Sequence, residues 1–276
     1  MRARDGAISV IMPAFNESEH VAGNLLEVVK VFNDFGFDFE VILVDDGSND
    51  GTYLSAARVL LEHPECIRII RYDRNRGKGN ALTVGAAAAR GEYVVFLDAD
   101  MDLHPRQLPV FLQTMRLCNA DAVIGSKWHP GSRVSYPRLR RLYSLCYYRF
   151  VRLLFGLPLH DTQTGIKLFK AHVLDDVFPR VIGKRFAFDV EMLSVAHRRG
   201  YRIVDAPVTL EFQRSLARLN VGDVWNMLLD TLAIFYRMKL LHYYDREPQP
   251  PDAAVDVPTV IEISAESARA MLAQVS

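Results

Sequence analysis

The sequence predicts an α/β fold with a mainly parallel sheet flanked by helices, and three observations predict it. Short apolar runs recur through the first half, helix-compatible stretches separate them, and acidic or polar residues gather where the runs end. Strand alternating with helix implies right-handed crossovers, as in doubly wound sheets. The first strand is "ISVIMPAF" from Ile8, followed by a helix over Glu19 to Asp34. The second, "FEVILVDDGS" from Phe39, leads into a helix over Thr52 to His63, and the third, "CIRIIRY" from Cys66, into the Ala-rich Gly79 to Arg90. "YVVFLDAD" from Tyr93 is the fourth, and "DAVIGS" from Asp121 extends the pattern to a fifth. In such sheets ligands gather outside the carboxyl ends of the strands. Here those ends carry Asn16 and Glu17, Asp45 and Asp46, and Asp98 to Asp102, so acidic strand ends are expected around one crevice.

The second half reads differently. After Lys127 come a loop, "WHPGSRVSYP", a basic helical stretch from Arg138 to Gly156 and a turn, "HDTQTG". Phe188 to Gly200 reads as a helix, "YRIVDAPV" as a strand, and Val221 to Tyr244 as a long amphipathic helix. From Pro248 the composition is that of a linker, and the helix-compatible "SAESARAMLAQV" beyond it is expected to be a peripheral tail.

Composition limits the function. The 276 residues carry 33 Lys plus Arg against 33 Asp plus Glu, so no overall field recruits nucleic acid and charge must be read locally. Cys66, Cys118 and Cys146 lie far apart with no C-x-x-C, which argues against a zinc knuckle or a disulfide framework and suits a reducing compartment. The first residues show no signal-peptide pattern, and Asp230, Arg237 and Lys239 interrupt the best apolar candidate for a membrane span. A cytoplasmic protein is expected.

The motifs carry the chemistry. "NRGKGNA", Asn75 to Ala81, fails both the P-loop and the dinucleotide fingerprint, because Tyr72 and Leu82 stand where those patterns need glycine. What remains is a Gly-rich helix entry with Lys78 near its positive end, which either faces a diphosphate or shapes a turn. In "VDDGSNDGT" turn chemistry accounts for Asp50 as a helix cap but not for the adjoining Asp45 and Asp46. "VVFLDADMDLHP" sets Asp98, Asp100 and Asp102 at alternate positions after a strand. One of them could cap a helix starting at His104-Pro105, but three such carboxylates ask for a divalent cation, Mg²⁺ or Mn²⁺, shared with phosphates.

Taken in order, "MPAFNE", "VDDGSNDGT", "NRGKGNA", "LDAD" and "HDTQTGIKLF" resemble the motifs of family 2 inverting glycosyltransferases of the GT-A, Rossmann-like fold. Within that family the chain is most similar to the dolichyl-phosphate (polyprenyl-phosphate) glucose and mannose synthases, over roughly Ile8 to Tyr244. The resemblance implies a domain over 1–246, with a nucleotide-sugar half at 1–126 and an acceptor half with amphipathic helices at 127–246, before a linker and tail at 247–276. It implies a nucleotide-sugar site from Pro13, Ala14, Asn16, Glu17, Asp45, Asp46, Lys78, Asp98 and Ala99, with Asp45 reading the base. It also implies a metal-and-diphosphate motif at Asp98 and Asp100, which Asp102, standing where the mannose synthases place Gln, would strengthen. "DTQTGIKLF" and "NRGKG" look nearer the glucose synthases and favour UDP-glucose as donor.

A phosphate acceptor is already anionic and needs no general base, whereas a hydroxyl acceptor needs a carboxylate to take its proton. Asp189 in "FAFDVEML" is the candidate base, or else a surface carboxylate paired with Lys184 or Arg185. At about 100° per residue, Arg138, Arg141, Arg149 and Arg152 share one helical face, beside a face of Leu139, Leu142, Cys146, Phe150 and Leu153. Such a helix either lies in an anionic membrane interface or packs on the core with a solvated basic edge. Arg138 and Arg141 of this helix, with Lys127, Arg214 and Arg218, which the resemblance places at positions that grip acceptor phosphate, are the candidate grips on that group. The expected partners are therefore a nucleotide-diphosphate sugar, a polyprenyl phosphate and the cytosolic membrane face, with a separate membrane partner or a homo-oligomer left open. The rival readings are a GDP-mannose donor, a hydroxyl acceptor, or a nucleotide-sugar binding module without catalysis.

Overall fold

The computed structural model describes residues 4–134, 138–183, 187–210, 221–247 and 260–274, and within them the side chains of 4, 5, 138–143, 221, 223 and 224 are left undescribed. Two compact units emerge, one of Met1–Met101, Phe169–His172 and Ala253–Ser276, the other of Asp102–Leu168 and Val173–Asp252. The division falls inside the acidic run rather than at residue 126.

The first unit runs β1 (Arg4–Ala14), α1 (Val21–Asp34), β2 (Phe39–Asp45), α2 (Thr52–Glu62), β3 (Ile67–Arg71), α3 (Lys78–Ala88) and β4 (Gly91–Leu97). Its strands lie in the order β3-β2-β1-β4, all parallel, so every strand read from the sequence here forms where it was read. All seven residues of β2 are buried, Glu40 and Asp45 included, which is why its middle, "VILV", is a continuous apolar run rather than an alternation. In α3 the Ala-rich composition serves close approach, since a Cβ at Gly85 would stand 2.4 Å from Ile11 Cγ2 of β1.

There follow α4 (Leu108–Leu117), β5 (Ala122–Ser126), β6 (Arg133–Val134), α5 (Arg138–Phe155), β7 (Ile166–Lys170), α6 (Ala171–Val177), α7 (Phe188–Arg198), β8 (Ile203–Pro207), β9 (Thr209–Leu210) and α8 (Val221–Lys239), all of the second unit except Phe169–His172 at the end of β7 and the start of α6. Strands β5 and β8 pair in parallel, as do the two-residue strands β6 and β9. The turn after "HDTQTG" leads directly into β7, a strand the sequence reading passed over. Ahead of α4 the cap is His104, whose Nδ1 accepts from the Arg106 amide at 3.2 Å, and not Asp102.

The tail corrects its expectation. Residues 260–274 form β10 (Ile261–Ile263) and α9 (Ala265–Ala273), which belong to the first unit. Strand β10 pairs antiparallel with β3, Ile263 is 4 % exposed and Ala268, which faces inward, is fully buried. Strand β3 would otherwise present an open edge, and "IEI" supplies a short alternating strand to cover it.

Candidate active site

Three loops at the carboxyl ends of β1, β2 and β4 make one side of the first unit, and side-chain-to-backbone bonds stitch the first two together. Asn16, in the left-handed region at φ +55°, donates its amide to Ser48 Oγ at 2.9 Å and accepts from the Asn49 amide at 3.1 Å. The Glu17 amide donates to Thr52 Oγ1 at 2.8 Å and the Ser18 amide to Asp50 Oδ2 at 3.0 Å. Asp50 also accepts from the Thr52 amide at 3.0 Å, so it closes the first turn of α2 while Gly51 occupies the cap position itself. The loop after β4 is tied in by Asn24 Nδ2, which donates to the Ala99 carbonyl at 2.6 Å.

Asp46 organises the Gly-rich segment. Its two carboxylate oxygens accept from the amides of Arg76 at 2.8 Å and Gly77 at 2.9 Å. The segment passes so near that a Cβ at Gly47, itself at φ +70°, would stand 2.3 Å from the Arg74 carbonyl carbon. This placement delivers Lys78 to the acidic loop, its Nζ 2.5 Å from Asp98 Oδ1, and both side chains are partly exposed. The segment is therefore a shaped turn that also brings Lys78 to the acidic loop.

Above these loops opens a cavity of about 310 Å³ lined by Pro13, Ala14, Phe15, Glu17, Asp46, Asn75, Gly77, Lys78, Asp98, Ala99 and Asp100. Of the residues assigned to donor binding from the sequence, Asn16 and Asp45 are missing from this lining. Asn16 is a loop stitch. Asp45 is 0 % exposed, its Oδ1 accepts from the Ser48 amide at 3.0 Å, and its Oδ2 lies 3.4 Å from Arg71 Nε. Burial raises its carboxyl above the ordinary range, against the opposing pull of Ser48 and Arg71. Phe15, Asn75 and Gly77 enlarge the set. They lay inside the quoted motifs, but nothing in residue type marked them as lining.

A divalent cation fits this rim in a restricted way. Asp98 and Asp100 offer hard oxygens to the cavity, and Asp98 already faces the Lys78 ammonium. Asp102 is not among the lining residues, and among the described residues no group of three or more His, Cys, Asp or Glu side chains is gathered to hold a metal. Two carboxylates suit an ion that arrives with phosphates, and not an all-protein cage.

The second unit holds a cavity of about 340 Å³ lined by Lys127, Trp128, His129, Pro130, Ser132, Val134 and Ser144. Lys127 is set there by "HDTQTG", for its Nζ lies 3.3 Å from Asp161 Oδ2. His160 of the same turn places Nδ1 2.5 Å from Asp205 Oδ2, a carboxyl pushed up by burial. Trp128, His129, Ser132 and Ser144 escaped the sequence reading, which took their segment only as a loop and a helix.

Asp189, in the first turn of α7, is 9 % exposed and its Oδ1 lies 2.8 Å from Nζ of Lys167, which is 1 % exposed and also donates to the Thr164 carbonyl. It is therefore neither a surface carboxylate nor an unattended base. The residues once weighed as its partners, Lys184 and Arg185, lie outside the described residues, as do Arg214 and Arg218, and the side chains of Arg138 and Arg141 are likewise outside them. Glu191, two residues on, is fully buried, accepts from the Ile182 and Gly183 amides and from Tyr244 Oη, and lies 3.5 Å from an Arg237 nitrogen.

On α5, Arg149 and Arg152 are exposed, and of the apolar stripe read from the sequence Cys146 and Leu153 are exposed and Phe150 half-buried, while the buried side chains are Val151 and Phe155. The inner side meets α8, through Tyr147 Oη with Thr231 Oγ1 at 3.1 Å and through Phe155 with Phe235. Burial pushes the Tyr147 hydroxyl up to about 12. Helix α8 presents Trp225, Leu229, Leu232 and Tyr236, spaced i, i+4, i+7, i+11, all exposed. No helix among the described residues is long and apolar enough to cross a membrane.

Comparison with known proteins identifies the family and the fold. The glycosyl transferase family 2 model matches residues 9–178. Glycosyltransferase AglD of Haloferax volcanii is 33 % identical over 206 residues, covering 74 % of this chain and 33 % of that protein. A dolichyl-phosphate beta-glucosyltransferase of Dictyostelium discoideum is 31 % identical over 213 residues, covering 73 % of this chain and 65 % of that protein. The chain thus spans a third of the one relative's length and just under two thirds of the other's. Among solved structures, glucosyl-3-phosphoglycerate synthase from Mycobacterium tuberculosis superposes with a TM-score of 0.62 at 19 % identity, over 83 % of this chain and 79 % of that one. Mannosyl-3-phosphoglycerate synthase from Rubrobacter xylanophilus gives 0.61 at 18 %, over 93 % and 86 %. At such identities the likeness establishes the fold, which is GT-A.

Proposed function

The chain belongs to glycosyl transferase family 2, and from that premise we propose that it is an inverting transferase moving glucose from UDP-glucose to a polyprenyl phosphate. The observation that carries this reading is the cavity of the first unit, where Lys78 at a helix start and the carboxylates of Asp98 and Asp100 face one space. A diphosphate there meets the Lys78 ammonium and the positive end of α3, both directed at the charge that grows as the sugar leaves. Bound Mg²⁺ or Mn²⁺, held by Asp98 and Asp100, supplies Lewis-acid neutralisation of that diphosphate. A related structure contains Mn²⁺ together with UDP-glucose, which supports a divalent ion and a uridine donor here.

On the acceptor side, Lys127 in its cavity is the cation for an incoming phosphate. Two relatives are dolichyl-phosphate beta-glucosyltransferases, which supports a lipid phosphate as acceptor. So does the state of Asp189, since its carboxylate serves as counter-ion to the buried Lys167 and a phosphate acceptor asks nothing more of it. A hydroxyl acceptor would require that same ion pair to open.

The exposed row on α8 and the exposed arginines of α5 suit a peripheral seat at the cytosolic membrane face, aromatic and aliphatic groups entering the acyl boundary and guanidinium groups meeting lipid phosphates. A separate membrane partner or a homo-oligomer is compatible with the same face.

The test is incubation of the protein with labelled UDP-glucose or GDP-mannose, Mg²⁺ and polyprenyl phosphate, followed by organic extraction. Labelled lipid from UDP-glucose is the expected result. Label from GDP-mannose alone would reassign the donor, and sugar transfer only to a water-soluble hydroxyl would overturn the acceptor.

A further inference from the structure

We infer that Arg71, which no motif includes, is a positioning residue for the nucleoside end of the donor site, and that the C-terminal segment 260–274 completes that site by holding the strand from which Arg71 projects. The inference rests on the donor reading proposed above and specifies how its base-proximal loop is kept in shape.

Arg71 ends β3 and is the cross-strand neighbour of Asp45 at the end of β2. Its Nε lies 3.4 Å from Asp45 Oδ2, a second guanidinium nitrogen donates to the Ser48 carbonyl at 3.3 Å, and its Cζ sits 3.8 Å above the centre of the Tyr53 ring. One planar group thus touches the strand end, the middle of the "DDGSND" loop and the first turn of α2. Asp45 Oδ2 is buried and accepts no hydrogen bond, so the nearby guanidinium is the charge that answers it. Removing Arg71 leaves a fully buried carboxylate without a cation and frees the loop whose Ser48 and Asn49 hold Asn16 beside the Ala14-Phe15 wall of the cavity.

The tail reaches the same residue from the other side. In the register of β10 against β3, Ile261 stands opposite Arg71 and Ile263 opposite Ile69. Two strands are also pinned together by Arg68, which donates to Glu262 at 2.7 Å and to Glu40 at 2.9 Å. Arg71 is therefore flanked on one side by the strand carrying Asp45 and on the other by a strand arriving some 190 residues later in the chain. A guanidinium is required for this role, because a lysine ammonium keeps the charge beside Asp45 but cannot both stack on Tyr53 and reach Ser48 in one plane.

The experiment compares full-length wild type, Arg71→Gln, Arg71→Lys and Ile263→Asp for UDP binding by calorimetry and for UDP-glucose turnover, with circular dichroism as the folding check. Expected for Arg71→Gln is a rise of about tenfold in the UDP dissociation constant and in donor KM, with kcat within about twofold, the scale of one lost charge-assisted contact. Arg71→Lys should recover part of that loss, and Ile263→Asp, if it folds, should shift donor KM in the same direction as Arg71→Gln. Wild-type UDP affinity in Arg71→Gln would overturn the inference while leaving the donor site intact. Equal falls in kcat and affinity with loss of helical signal would also overturn it, assigning Arg71 to general stability. Absence of UDP binding by the wild type would overturn the donor reading itself.

Discussion

The two units solve the problem of placing polar groups in opposite ways. In the first, the site is built from strand ends and short loops, and nearly every loop is fastened to another by a side chain accepting from a backbone amide: Ser48 to Asn16, Thr52 to Glu17, Asp46 to Arg76 and Gly77. In the second, the polar groups are placed by ion pairs between helices, strands and turns, Lys127 with Asp161, Lys167 with Asp189 and Arg237 with Glu191, and apolar side chains remain on the surface. Amide-to-side-chain bonds fix geometry without a second charged side chain, and at Asp46 they satisfy a buried carboxylate through amides alone. Buried ion pairs fix it too, at a desolvation cost that is recovered only while both partners are present.

The largest effect that separates the two designs is therefore expected at Lys167. Replacing it by Met leaves Asp189 as an uncompensated, nearly buried carboxylate, and breaking such a pair costs about 3–5 kcal/mol. Adding Asp189→Leu should restore much of the lost stability, read from urea midpoints. A double variant no more stable than Lys167→Met would mean that packing, not charge, holds this part of the unit.

Asp100→Ala should lower turnover about 10²–10³-fold, the range seen when one electrostatic group is removed from a developing charge, with circular dichroism confirming that the variant is folded. Excess chelator should do the same to the wild type. Full turnover in chelator would remove the metal from the proposal.

Arg149 and Arg152 come next. Each exposed basic residue near anionic lipid contributes about 1 kcal/mol, so the double change to Gln should weaken sedimentation with anionic vesicles roughly 30-fold while donor affinity stays put. High salt should mimic it. If neither substitution nor salt alters vesicle binding and Trp225→Ser does, the apolar face of α8 alone is responsible.

The same contrast explains which parts could be read from the sequence. Strands β1 to β5 are each built around a short apolar run with Gly or Asp near its ends, and local composition locates them. The acidic strand ends, Lys78 and the cavity they share follow from that topology. Asp45 shows where such reading stops, because nothing in "VDDGS" says that the first carboxylate faces inward to Arg71 and the second to the amides of residues 76 and 77. Strand β10 and the burial of Asp189 depend on partners far along the chain, Ile69 to Arg71 in one case and Lys167 in the other. Helix α5 could be read as amphipathic, but whether Leu153 or Val151 points inward depends on where α8 lies, and no period contains that.

Asp45 gives the smallest expected effect and the finest test of the comparison, because in the first unit it is a fully buried carboxylate answered by a guanidinium at the edge of amide-fastened loops. Burial raises its carboxyl above the ordinary value of 3.8, so the folded state favours the neutral acid relative to the unfolded chain. Below the unfolded value the group is neutral in both states and costs nothing. As the pH climbs through the raised folded value the burial cost appears, and it is complete at neutral pH. Asp45→Asn should then be somewhat more stable than wild type at pH 7, and the gap in melting temperature should close as the pH falls toward the ordinary carboxylate range. The same substitution should weaken UDP binding about tenfold, since the Arg71 guanidinium loses its counter-charge and the loop its anchor. A gap independent of pH would show that the carboxylate's charge is not its source. A stability gain with unaltered UDP affinity would place Asp45 and Arg71 outside the donor site and leave the cavity over Lys78 and Asp98 to bind the nucleotide alone.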